Sequence, residues 1–439
     1  MALINKLFPF AFLLLLASCA TVKNVERQRI QHIRREITES SVFSRAFTGF
    51  TLLDPASGKI LVDINGDHYF TPASNTKIWT LATCLEILGD SVPALKVAHL
   101  GNELVFSSTA DPTFLHPLFR AWQQNDAISV LKTAPALRYY PRPFPDKRFG
   151  PGWAWDDYEY YFQAERSAMP VYGNTLRFTK TEGDSIQVWP AFLRSNFSPV
   201  AHPLETEVAR NEFENKWLYQ QNAPATTLDL PFRTEGLFEQ ILADTLHRSF
   251  AILPPESSPK LTFKTMYSTP LDTVLRLMMY DSDNFIAEQM LLVCAGEKLD
   301  TFHQNSIIQY MLDSVLLSLP QKPKWVDGSG LSRYNLMTPK SITQVLLHLW
   351  KRQNKERLLS LFPAGGVSGT IKEWYVSPDG KPYVFAKTGG LGGVHCLSGY
   401  ITCKSGKTLI FSFMHNNFNG SNRQWKQEMQ RIFEIIRDW

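Results

Sequence analysis

Strand-like sequence lies at the two ends of this chain with helical sequence between, so its sheet must join residues far apart along the backbone. Thr48 to Asp54 and Lys59 to Asn65 are β-rich runs around a turn at Pro55-Ala56-Ser57-Gly58, the pattern of a hairpin. Tyr383 to Thr388, His395 to Thr402 and Thr408 to His415 are three further β-like runs separated by Gly-containing turns. After Thr71-Pro72-Ala73-Ser74, the residues Ile78, Leu81, Ala82, Leu85 and Leu88 fall along one helical face until Gly89-Asp90. Helical patterns return at Leu271–Tyr280, Phe285–Glu297, Thr301–Leu317 and Thr338–Arg352, and Ser421–Trp439 closes the chain as an amphipathic helix. Pro72 and Pro339 occupy first-turn positions, where a missing N–H costs nothing. This order predicts an α+β fold, one antiparallel sheet assembled from both chain ends and covered by helices.

At 439 residues the chain is long for a single core and calls for two domains or a large insertion. The texture changes between Pro93 and Ser258: helical periodicity weakens, and Pro and aromatics crowd together, as in Tyr139 to Pro145 and Trp153 to Tyr158. Pro254 to Pro259 reads as an exit linker. The expected organisation is a leader over 1–19, a tether or exposed helix over 20–42, a main domain from 43–92 and 262–439, and a strand-rich inserted domain over 93–261. A net charge of +4, with no basic run interleaved with aromatics, gives no footprint for nucleic acid.

The first residues carry an export signal. Lys6 precedes an apolar run from Leu7 to Leu16, too short to span a bilayer comfortably, which ends in Leu16-Ala17-Ser18-Cys19. That ending resembles a bacterial lipobox, in which Cys19 is lipidated and becomes the mature N-terminus; the plainer alternative is a secretory signal beside a stray cysteine. Both export the protein. Of the remaining cysteines, Cys84, Cys294, Cys396 and Cys403 sit in apolar or strand-like contexts, which favours free buried thiols over disulfides that spacing cannot pair.

Three short motifs carry chemistry. Ser74-Asn75-Thr76-Lys77 places a hydroxyl and an amine three residues apart, on one face of a helix, where a neutral lysine can activate the serine. Alone the spacing is weak: Ser257-Ser258-Pro259-Lys260 satisfies it too, in a linker with no helix to align the side chains. Ser282-Asp283-Asn284 lies between helices and supplies a hydroxyl for proton relay and a carboxamide for a substrate amide. Lys387-Thr388-Gly389-Gly390 ends a β-like run and offers a cation and a hydroxyl to a carboxylate. Lys404-Ser405-Gly406 is better read as a hairpin turn. The order Ser-x-x-Lys, Ser-Asp-Asn, Lys-Thr-Gly is that of penicillin-binding proteins and serine β-lactamases.

With roughly 200 residues between its first two motifs, far more than a helical subdomain needs, the chain resembles the low-molecular-mass class C penicillin-binding proteins. These are the penicillin-binding-protein-4 type D-alanyl-D-alanine carboxypeptidase/endopeptidases. Pro72 to Lys77, Ala110 to Thr113, Trp153 to Asp157, Ser167-Ala168, Asp281 to Asn284, Asp327 to Arg333 and Ala386 to Gly389 carry the likeness, which runs from about Thr48 to the C-terminus. It departs from the family at Gly390, where Ser or Thr is usual, and at Thr109-Ala110, where the family has Gly-Gly.

The resemblance implies a penicillin-binding transpeptidase/β-lactamase-like fold and an acyl-enzyme on Ser74, with Lys77 as base. Ser282 returns the proton, Asn284 orients the substrate amide, and Lys387 with Thr388 holds a terminal carboxylate. The backbone N–H groups of Ser74 and Gly390 form the oxyanion hole. Asp156 and Asp157 are candidates for the ammonium end of a diaminopimelate side chain, the alternative being a solvated acidic turn, and Arg333 is a candidate for facing the cleft. The implied partners are peptidoglycan stem peptides, β-lactams as inhibitors, and a bacterial membrane through Cys19, with the protein in the periplasm; no metal or other cofactor is needed. The rivals are a serine β-lactamase, disfavoured by the lack of a Glu-x-x-Leu-Asn string, and a β-lactam-sensing or peptidoglycan-binding lipoprotein with weak turnover.

Overall fold

The computed structural model describes residues 24–119, 127–257 and 259–439; Cys19 lies outside them. The chain divides into two units. One comprises Met1–Thr71, Leu319–Gln321 and Met337–Trp439, the other Pro72–Ser318 and Lys322–Leu336.

The first unit is built on the five-stranded antiparallel sheet that the sequence pattern predicts. Its strand order is Val384–Leu391, Val394–Thr402, Thr408–Asn416, Phe47–Asp54 and Lys59–Ile64. The two chain ends meet at the pairing of Phe47 with Asn416 through to Leu53 with Ile410. Phe50, Leu52, Phe411 and Phe413 pack against Trp425, Met429 and Phe433 of the C-terminal helix Arg423–Arg437. Burying each such aromatic side chain contributes roughly 2–3 kcal/mol. The helix Pro339–Arg352 also packs on the sheet, where the Tyr400 hydroxyl donates to the Leu346 carbonyl at 2.9 Å. Thr338 caps that helix by accepting from the Ser341 N–H, with Pro339 in the first turn as read from sequence.

Of the two readings of 20–42, the described part takes the helical one, but docked rather than exposed. Residues 24–38 form a helix that is not a free tether: Ile33 and Ile37 are buried in the same core as Phe433. Glu36 pairs with Arg431 at 2.5 Å, and the Ser40 hydroxyl donates to Glu428. The many charges of 21–41 mask two isoleucines four residues apart, which suffice to dock one face.

The second unit combines a helical part with the strand-rich insertion. Its central helix, Asn284–Leu299, is buried from Phe285 to Gly296 without a break, as befits a helix enclosed on all sides. Lys77–Ile87 and Leu271–Tyr280 accompany it. The expected helix over Thr301–Leu317 is shorter, Gln304–Tyr310 followed by a π-helical turn at Met311–Val315. Asp300 adopts a left-handed φ of 52°, which delays the start. The wider turn, closed by the Leu316 N–H on the Met311 carbonyl, buries Leu316 and leaves Leu317 in solvent. This unit also holds a five-stranded sheet that includes Ser91–Leu100, Glu103–Ser108 and Lys264–Pro270, and two three-stranded sheets. Phe178, Trp217 and Phe232 are buried in its core.

Cys84, Cys294, Cys396 and Cys403 are all free and buried, with the sulfurs of Cys84 and Cys294 3.9 Å apart. No helix among the described residues is long and apolar enough to cross a membrane.

One glycine decides the local fold around Ser74. Gly330 has φ +85°, and a Cβ there would stand 1.9 Å from the Ala73 carbonyl oxygen. Gly330→Ala is expected to lower stability by about 3 kcal/mol through backbone strain and the clash, and to suppress acylation of Ser74. Thermal denaturation with an acylation assay checks this; an unchanged midpoint would contradict it.

Candidate active site

Ser74 sits in a tight turn. Ala73 takes a left-handed φ of 46°, residues Ala73–Thr76 form a 3-10 turn, and the α-helix Lys77–Ile87 follows directly. The Thr76 hydroxyl closes the turn by donating to the Ala73 carbonyl at 2.9 Å. Positions i and i+3 eclipse in a 3-10 turn, and Lys77 Nζ lies 2.9 Å from Ser74 Oγ. The sequence reading placed both residues on a regular helix; the tighter turn brings them together more directly.

Lys77 is completely buried. Besides Ser74, its amine meets Asn284 Oδ1 at 2.6 Å and the Ser329 carbonyl at 2.7 Å. Those two oxygens can only accept. Burial pushes the amine down to about 8, against the opposing pull of Asp283, Asp327 and Glu288. A neutral amine has two N–H bonds and one lone pair. The two carbonyl oxygens take the N–H bonds, and the lone pair is left for the Ser74 hydroxyl. This is the geometry of a base in contact with its nucleophile.

The second motif is fixed by a helix start. Asp283 is the N-cap of Asn284–Leu299 and accepts from the Ile286 N–H at 2.7 Å. Its low-polarity surroundings raise its carboxyl above the ordinary range. Ser282, just before it, holds a left-handed φ of 61°, a strained backbone of the kind found at functional sites. Asn284 Nδ2 donates to the Phe162 carbonyl at 3.0 Å. One N–H and one lone pair of the carboxamide remain for a substrate.

Behind Lys77 stands the loop Asp327 to Arg333. Asp327 Oδ1 accepts from the Gly330 N–H and Asn335 Nδ2, and Oδ2 from the Ser332 N–H and Trp153 Nε1, all within 3.0 Å. The Thr80 hydroxyl donates to the Gly328 carbonyl at 2.7 Å. The Ser329 N–H donates to Glu288 Oε1 at 2.7 Å, which holds the Ser329 carbonyl toward Lys77. Glu288 also accepts from Gln304 at 2.6 Å and lies 3.7 Å from Arg166. Burial, reinforced by Asp327, pushes its carboxyl up.

Ser74, Ser282 and Asn284 line one cavity of about 430 Å³, together with Tyr161, Phe162, Asp281 and Asp283. Asp156 and Arg333 are exposed and are not among the residues lining it. Desolvation, with Asp156 beside it, raises the carboxyl of Asp157. Lys387, Thr388 and Gly390 belong to the other unit, on the strand Val384–Leu391. There Lys387 is buried with Nζ 3.0 Å from the Thr388 carbonyl, and the Thr388 hydroxyl bonds that of Thr370 at 2.8 Å. Gly390 is exposed, and a Cβ on it would meet nothing within 4 Å. Among the described residues no group of three His, Cys, Asp or Glu side chains is placed to hold a metal ion.

Four participants escaped the sequence reading: Glu288, Asp327 as the anchor of its loop, and the carbonyls of Ser329 and Phe162. Glu288 leaves a trace, the one carboxylate in the largely apolar run from Phe285 to Gly296. The carbonyls leave none, because backbone atoms do not depend on residue type.

Known proteins resemble this chain along most of its length. The profile of the D-Ala-D-Ala carboxypeptidase 3 (S13) family matches residues 31–437. The D-alanyl-D-alanine carboxypeptidase DacB of Haemophilus influenzae is 25% identical over 437 residues, covering 89% of each chain. The crystal structure of penicillin-binding protein 4 from that organism superposes with a TM-score of 0.71 at 21% identity, covering 93% of this chain and 99% of the other. Its complex with a β-lactam gives a TM-score of 0.68 at 19% identity, with the same coverage.

The base must be neutral to act, so acylation of Ser74 should rise with pH up to about 8 and level off above it. Glu288 opposes neutralisation, so Glu288→Gln is expected to move this rise to lower pH. Stopped-flow acylation rates against pH test both points. A wild-type rate still climbing steeply at pH 9.5 would contradict them.

Proposed function

The chain belongs to the D-Ala-D-Ala carboxypeptidase 3 (S13) family, and from that premise we propose how its own residues carry out serine D,D-peptidase chemistry. The protein is a D-alanyl-D-alanine carboxypeptidase of the penicillin-binding-protein-4 type. Its substrate is the peptidoglycan stem peptide. Ser74 attacks the carbonyl of the penultimate D-alanine while Lys77 takes its proton. The tetrahedral oxyanion is held by the N–H groups of Ser74 and Gly390. As it collapses, the C–N bond breaks, and the proton passes from Lys77 by way of Ser282 to the leaving amine. Water then attacks the acyl-enzyme, with Lys77 again the base, and frees Ser74.

The observation that carries this reading is the set of partners around Lys77. Two carbonyl acceptors at 2.6 and 2.7 Å leave the Ser74 hydroxyl as the donor to a neutral amine. Asn284 orients the substrate amide with its remaining N–H. The terminal carboxylate is assigned to Lys387 and Thr388, a cation beside a hydroxyl. Asp156, which is exposed, is assigned to the ammonium end of a diaminopimelate side chain, and through it to endopeptidase action on crosslinks, and Arg333 to substrate binding at the cleft. β-Lactams, a reactive amide beside a carboxylate, acylate the same serine. The sequence before the described residues supports export to the periplasm and a lipid anchor at Cys19.

Mass analysis of muropeptides separates this reading from its rivals. Wild-type protein is expected to release D-alanine from pentapeptides and to bind fluorescent penicillin covalently, and Ser74→Ala to do neither. Penicillin labelling without D-alanine release would favour a sensor, and rapid loss of label with an opened lactam ring a β-lactamase.

The anchor has its own test. In an expressing bacterium, labelled palmitate should enter the wild-type protein and not Cys19→Ala. Equal labelling of the two would refute lipidation at that cysteine.

A further inference from the structure

Trp155, Tyr160 and Tyr161 stand 77%, 45% and 68% exposed within seven residues. Each forgoes roughly 1.5–3 kcal/mol that full burial of a large apolar side chain brings. Clustered exposed apolar residues of this kind mark binding sites rather than ordinary surface. The backbone beneath them is well fixed. Trp155–Glu159 and Tyr161–Gln163 are consecutive 3-10 turns. Gln163 Nε2 donates to the Ala154 carbonyl at 2.8 Å, and the Glu159 carboxylate accepts from the Arg210 N–H. Arg210 donates to the Tyr158 carbonyl and lies 5.1 Å over the Tyr158 ring. The Tyr160 ring stacks on Phe162 at 5.4 Å and 5°, so its orientation is set.

This ridge is continuous with the catalytic cavity. Tyr161 lines the cavity that holds Ser74, and the Phe162 carbonyl accepts from Asn284. Trp155, at the other end, lines a second cavity with Trp153 and Phe149. Four extended stem-peptide residues reach about 13–14 Å from the scissile bond to the sugar that bears them. The carboxylates of Asp157 and Glu159 are interspersed with the rings. They can accept hydrogen bonds from hydroxyl and acetamido N–H groups, and they oppose docking on an anionic lipid surface.

We propose that Trp155, Tyr160 and Tyr161 form a platform on which the amino-sugar rings of a glycan strand stack while its stem peptide enters the cavity of Ser74. The inference rests on the peptidoglycan reading above and extends it from the peptide to the polymer. Apolar faces of the pyranose rings cover the aromatic rings, and the interspersed carboxylates take the polar edges. The enzyme thereby grips the wall itself rather than isolated peptides.

Binding to glycan strands stripped of their stem peptides tests the platform, measured alongside D-alanine release from a soluble pentapeptide. Trp155→Ala removes an exposed side chain and should leave the melting temperature unchanged. It is expected to weaken glycan binding about tenfold, with Trp155→Tyr restoring most of it and pentapeptide turnover within about twofold of wild type. Binding should survive 0.5 M salt, since stacking is not screened. Equal glycan affinity of wild type and Trp155→Ala would overturn the proposal, as would loss of binding in salt or preferential binding to anionic vesicles. Failure of the wild-type protein to release D-alanine from the soluble peptide would instead sink the catalytic reading, so the two failures are distinct.

Discussion

An amine with no exposed surface, held between two carbonyl oxygens and one hydroxyl, is the constraint around which the helical part of this enzyme is arranged. Lys77 is worth keeping buried only if it is neutral when it acts. Holding its protonation near pH 8 disfavours the charged form by roughly 3 kcal/mol relative to an exposed lysine. That bias rests on exclusion of solvent, because the nearby carboxylates all pull the other way. The site is therefore a balance: three acids moderate the effect of burial so that the amine loses its proton close to neutral pH while remaining basic enough to accept one from serine.

Several features far apart in sequence serve that balance. The left-handed turn at Ala73 aims Ser74, Gly330 lets the loop approach that turn, and Asp327 gathers four donors to fix the loop. Glu288, in the second turn of a helix buried over twelve residues, holds the Ser329 carbonyl toward the amine through the Ser329 N–H. The same helix begins at Asp283, so one element delivers both the carboxamide of Asn284 and the support behind it. The insertion contributes at close range too, since the carbonyl of Phe162 accepts from that carboxamide. Strand-rich sequence between the first two motifs thus helps to hold the Asn284 carboxamide in place.

Much of this was legible in the sequence, and the reasons are physical. Ser74, Lys77, Ser282 and Asn284 could be read because their chemistry requires particular side chains at short, local spacings. The sheet could be read because strand patterns lie at both ends of the chain, whereas the pairing of Phe47–Asp54 with Thr408–Asn416 is set by tertiary packing and shows only in the structure. The docked helix over 24–38 was obscured by surface charges around Ile33 and Ile37. The π-helical turn at Met311–Val315 depends on which of Leu316 and Leu317 finds a core, and that is a tertiary matter. Main-chain participants such as Ser329 O are invisible to any reading of side chains.

The protonation of Lys77 can be measured directly. With lysine side chains isotopically labelled and the signal assigned by Lys77→Arg, its nuclear magnetic resonance shift can be followed from pH 6 to 11. The account predicts a single titration centred close to pH 8. A midpoint at the ordinary lysine value near 10.5 would mean that the amine is charged at working pH, and the role of Lys77 as the base for Ser74 would be lost.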